Sequence, residues 1–171
     1  MKKSIIATLA ALVLLFTGCS AGKAQKPSSK TPEELTALYT AAITEARSKE
    51  DNDSIAIATS PDDEMANMVF PLIDFADEDA QAYAISISPM NIRAYGIALI
   101  KPEEGKHDKV LAGLNTFVEN QQKAFEFYLP DQYEIAKKAK VTELEDGTLV
   151  LVMCENSDAV LESITKKVIG G

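Results

Sequence analysis

The chain has a single histidine, two cysteines, no acidic residue before Glu33, and no apolar run as long as 20 residues. Each shortage excludes something. Catalytic zinc sites draw on several His or Cys ligands, and one histidine leaves little for such a centre. With only Cys19 and Cys154 there is no disulfide framework, because chemical use of Cys19 leaves Cys154 without a partner in the chain. A bilayer core of about 30 Å takes about 20 apolar residues as a helix, so no conventional spanning segment exists. The phosphate-cradling Gly-x-x-x-x-Gly-Lys loop and the Gly-x-Gly-x-x-Gly turn are also missing, and no Gly-x-Ser-x-Gly elbow lies in the domain after Lys30. Nucleotide chemistry and elbow-type acyl transfer therefore have no motif behind them, and no cofactor is expected.

Charge is distributed unevenly. All 26 acids lie at or after Glu33, where only 12 bases accompany them, a net of −14. Such a chain repels phosphate backbones, which need clustered Lys and Arg, so nucleic acid is excluded as a partner. Ten acids and no base fall between Glu50 and Asp79. The acidity is regional and suits a basic partner.

At the amino terminus, "MKKS" precedes a 12-residue apolar run, Ile5 to Phe16, and then small residues. A charged start, a short apolar middle and a small-residue end are the parts of an export signal. The sequence Phe16-Thr17-Gly18-Cys19 resembles the bacterial lipoprotein signal, in which a cysteine thiol receives diacylglycerol and a peptidase cuts before it. The resemblance implies a signal peptide over 1–18 and lipidation of Cys19, with Phe16 standing where a leucine is usual. Two acyl chains meet the requirement for stable anchoring. Residues 19–30 then read as lipidated cysteine plus tether. Ser20 to Lys30 spans at most about 36 Å extended and about half that as a coil. Lys23, Lys26 and Lys30 either meet anionic headgroups, at about 1 kcal/mol each, or are simply solvated.

Residues 31–171 read as one domain. Thr31, Pro32 and Glu34 form a helix start with a capping box, and Leu35, Leu38, Tyr39, Ala42, Ile43 and Ala46 recur on one face. After an acidic break at "EDNDS", Ser60 and Pro61 signal a second, short helix. "QAYAISISPM" alternates as a half-buried strand, and "RAYGIALIK" is its hairpin partner. Helical periodicity runs from Glu103 to Tyr128, bends at Pro130 and resumes. "KVTELEDGTLVLVMCEN" is a hairpin turning at Asp146-Gly147. Its second arm is apolar on both faces, as in a central strand, and Ser157 caps a last helix. This order predicts an α+β domain, a two-layer sandwich with helices on one face of a mostly antiparallel four-stranded sheet.

Together, "FYLPDQYEIAKKAKV", "GTLVLVMCENSDAVLESI" and the lipoprotein start resemble a family of small uncharacterised bacterial lipoproteins, a domain of unknown function found mostly in Gram-positive anaerobes. The resemblance covers roughly residues 31 to 168. It implies export and anchoring and supplies no activity. An acidic pair common in that family before the second strand is replaced here by Ala94-Tyr95-Gly96, so no role of that pair is carried over.

Candidate sites are few. His107, near Glu103, Glu104 and Asp108, is set against a solvated helix start, and no metal site is predicted. Asp51-Asn52-Asp53 and Asp74, Asp77, Glu78 and Asp79 are oxygen-rich but lack the spacing of a calcium loop, and read as solvated acidic loops. Cys154 reads as inert packing. Phe127, Tyr128 and Tyr133 either line a groove or pin a bent helix onto the sheet through a tyrosine hydroxyl. No catalytic residue stands out. The expectation is a lipid-anchored, non-enzymatic module on the extracytoplasmic face of the membrane, binding an envelope protein or a small ligand. An envelope hydrolase with paired carboxylates is the alternative, and a structural or lipoprotein-chaperoning role comes third.

Overall fold

The computed structural model describes residues 30–170, so the signal peptide, Cys19 and nearly all of the tether lie outside the described residues. Helix α1, Pro32–Ala46, begins at the capping box: the Glu34 amide donates to Thr31 Oγ1 and the Thr31 amide to Glu34 Oε2, at 3.3 and 2.8 Å. The acidic break is itself helical. Ser48 Oγ accepts from the Asp51 amide and starts α2, Lys49–Ser54, a wholly polar turn with no apolar period to betray it. The next helix starts later than Ser60, because Asp63 captures the amides of Thr59 and Ser60 and closes a turn first. Helix α3 then runs Ala66–Val69 and tightens into a 3-10 turn over Phe70–Ile73.

Strands β1, Ala80–Ile87, and β2, Gly96–Pro102, pair antiparallel. Helix α4, His107–Phe125, and α5, Pro130–Lys137, follow, split at Pro130 as its missing amide requires. The hairpin of β3, Lys140–Glu143, and β4, Leu149–Met153, then inserts β4 beside β2, giving the order β1-β2-β4-β3 with every pair antiparallel. The interior place of β4 matches its doubly apolar sequence. Helix α6, Ser157–Gly170, closes the chain. Ser157 is not its cap, since its hydroxyl donates to the Lys138 carbonyl instead.

The fold is α+β, with helices packed on the sheet. They cover both faces rather than one. Side chains alternate along a strand. Tyr83, Ile85, Ile100 and Leu151 point into a core closed by α3, α4 and α5. Ala82, Ala84, Ile97, Leu99, Val150 and Val152 point the other way, under α1 and α6. The second layer escaped a period-two reading because Ala82, Ala84 and Ser86 look like a solvent face. All three are buried, and their small size lets α1 approach β1. Each large apolar side chain sealed this way is worth about 1.5–3 kcal/mol.

Two close fits set the first core. Phe70, Phe75 and Tyr83 pack edge to face with centroids 5.0 to 5.6 Å apart, holding the 3-10 turn on β1. On α4, Gly113 lies so near the Ile73 carbonyl that an added Cβ would sit 2.0 Å from its oxygen.

Candidate functional site

Sequence places the candidate residues in separate segments; the fold brings some together and separates others. His107 opens α4, with Nδ1 3.0 Å from Asp108 and Nε2 3.3 Å from Glu143 on β3, and these contacts raise its pKa, the Asp108 hydrogen bond most. Glu103 and Glu104 are not its partners. Among the described residues no three His, Cys, Asp or Glu side chains gather to hold a metal ion.

The acidic segments are not uniformly solvated. Asp79 is wholly buried and receives the Ala76 amide and the ammonium groups of Lys106 and Lys109, fastening the start of α4 to the loop before β1. Asp51, also buried, pairs with Arg93. Asp77 accepts from the Tyr83 hydroxyl at 2.6 Å. The carboxylates whose pKa is displaced, Glu33, Asp79 and Glu162, are all displaced downward. A general acid needs the opposite shift. Ser163 and Lys166 share a Ser-x-x-Lys spacing on α6, but Lys166 is solvated and tied to Glu162 at 2.6 Å as an ammonium, not held on Ser163 as a base.

Two features do assemble, both at the end of the sheet marked by Ile87, Gly96 and Met153. The first is apolar and exposed. The Tyr128 hydroxyl donates to the Asn91 carbonyl at 2.8 Å, and the Ala94 amide donates to Gln132 Oε1 at 2.8 Å. These bonds fasten the α4–α5 junction to the β1–β2 connection. Met90, Ile92, Phe127 and Tyr128 are left 59%, 63%, 88% and 53% exposed on the joined segments. The tyrosine hydroxyl does reach a backbone group, but Phe127 pins nothing. Met90 and Ile92 lie in the β1–β2 connection, where no periodic pattern marks them as a surface.

The second feature is polar and half sealed. Arg47, the residue that ends α1, donates from Nε to Asn52 Oδ1 and from Nη1 to Ser86 Oγ, each at 2.7 Å, and to Tyr95 Oη at 3.4 Å. Arg93 lies over the Tyr95 ring, 5.0 Å from its centroid, while holding Asp51. Cys154, one residue past β4, borders the cluster, and burial pushes its thiol up to about 11. It stays a protonated packing group at neutral pH.

The region from Ala58 to Cys154 matches the model of a family described as Domain of unknown function (DUF4358), residues 58–154. The chain belongs to that family. The DUF4358 region contains the whole sheet, α3 to α5, and Met90, Ile92, Phe127 and Tyr128, but neither α1 nor α6. No curated protein and no solved structure matches the chain.

Proposed function

We propose that this DUF4358 protein is a lipid-anchored, extracytoplasmic binding module whose apolar end surface docks an envelope protein. The observation carrying the reading is the fastening of Tyr128, next to exposed Phe127 in the chain, to the segment bearing Met90 and Ile92. Exposed apolar side chains scattered singly need no explanation, whereas a contiguous group is a feature of interaction sites. Direction supports a protein partner over the bilayer. Tyr39, midway along α1, meets Thr148 at one end of the sheet, and Arg47 at the helix's carboxy-terminal end meets Ser86 and Tyr95 toward the other. The start of α1, from which the tether leads back to Cys19, therefore lies opposite the apolar surface.

A photo-crosslinking side chain placed at Phe127 in intact membranes tests this, with the same probe at exposed Met68 as control. A discrete protein adduct specific to the Phe127 position is expected. Adducts identical at both positions, or only lipid adducts at Phe127, would overturn it.

A further inference from the structure

The chain contains 15 lysines and only two arginines, and both arginines meet the same ring, Tyr95. A guanidinium differs from an ammonium in its planar, weakly hydrated fork, which matches a carboxylate edge. Arg47 is 9% exposed, yet its three hydrogen bonds go to neutral acceptors: Asn52, Ser86 and Tyr95. Among the described residues no carboxylate comes within 4.0 Å of it, and the nearby Asp51 is held by Arg93. Ser86 spends its own proton on the Ala56 carbonyl at 3.0 Å.

Two donors remain unused. Arg47 Nη2 makes no hydrogen bond among the described residues; because no fully buried side-chain nitrogen or oxygen there lacks a partner, that nitrogen is not completely sealed. The Tyr95 hydroxyl accepts from Arg47, and its proton has no acceptor among the described residues. Burial raises its pKa, against the pull of Arg47, so the proton is present at neutral pH. Buried charges are ordinarily paired. Here two cations share one protein carboxylate inside a strongly acidic domain.

We propose that Arg47 and Tyr95 form a binding site for one carboxylate group of a ligand, which accepts from Arg47 Nη2 and the Tyr95 hydroxyl and supplies the missing negative charge. A singly charged carboxylate suits the site better than phosphate, because the balance is short by one charge and the surrounding domain repels a second. The site stands on its own observations and does not depend on the apolar surface or the anchor.

Two arginines give two side-chain Nε–H signals, which makes the test direct. The full chain in detergent micelles, labelled with ¹⁵N-arginine, is titrated with acetate or inorganic phosphate at ionic strength held constant with chloride. Acetate should shift the Arg47 signal to saturation, with phosphate weaker. Tyr95→Phe should weaken acetate about five-fold, the loss of one hydrogen bond, and in Arg47→Gln the remaining Arg93 signal should show no saturable response to acetate. Tyr95→Phe keeps the test open if Arg47→Gln fails to fold. Absence of saturation with either anion, equal affinity in Tyr95→Phe, or tighter phosphate than acetate would overturn the proposal.

Discussion

Tyr39 and Thr148 join their hydroxyls at 2.7 Å inside the core, although 109 residues separate them in sequence. Thr148 Oγ1 gives its proton to Asp146 Oδ2 at 2.8 Å, so Tyr39 is the donor to Thr148. Burial raises the Tyr39 pKa and keeps that proton in place. The chain of bonds ties the first helix to the β3–β4 turn. Tyr39→Phe should cost about 1 kcal/mol. Thr148→Val should cost more, about 2–3 kcal/mol, because it strands the buried Tyr39 hydroxyl and leaves Asp146 only the residue 148 amide as donor. Urea denaturation of the three proteins would measure the order.

Asp79 gives the clearest acid dependence. Burial opposes its ionisation, but the Lys109, Lys106 and Ala76 donors outweigh burial and hold its pKa below the ordinary value near 3.8. The stabilisation is complete above that ordinary value and is lost as pH falls through the lower, folded-state value. Asp79→Asn should remove that acid-side loss from a thermal-melt profile. Asp79→Ala should cost about 2–3 kcal/mol at neutral pH. A pH profile identical to that of the native chain would show the carboxylate is uncharged or unpaired.

Gly113→Ala is informative because two rules oppose each other. In an exposed helix interior the change gains about 1 kcal/mol from propensity. Here the new methyl meets the Ile73 carbonyl oxygen, a backbone atom that cannot rotate aside. Net destabilisation of about 1–3 kcal/mol is expected, read as a lowered midpoint in guanidinium chloride.

Much of this was legible in the sequence, for local reasons. The capping box at Thr31, the alternation around Tyr83 and the Asp146-Gly147 turn each express their structure within a few residues. Ser48, Ser60 and Ser157 show where local signals fail, since a serine suits a cap, a turn or a distant carbonyl equally well. The second helical layer was illegible because Ala82 and Ala84 are apolar yet small, and only the tertiary partner decides whether a small residue is covered. The Arg47, Asp51, Ser86, Arg93 and Tyr95 cluster was missed for a similar reason, drawing on segments that no motif links.

Cys19→Ser addresses the anchoring that the signal sequence implies. It should abolish metabolic labelling by fatty acid, and the unprocessed chain should migrate more slowly on a gel. Labelling and mobility equal to those of the native chain would refute lipidation. The substitution should leave the melting temperature of the domain unchanged, because the core is assembled from residues after Lys30.

Helices α1 and α6 lie against each other as well as on the sheet, so the first and last elements of the domain share one core. This has a consequence for the order in which the chain can mature. Through most of its synthesis β2 waits for β4, and one face of the sheet is covered by α1 alone until the final helix arrives. Contacts so distant in sequence slow folding, and the incomplete chain presents apolar surface meanwhile. Trimming from either end removes the same wall of the same chamber, and a frameshift beyond Met153 should leave a product as vulnerable to proteases as one lacking its first helix.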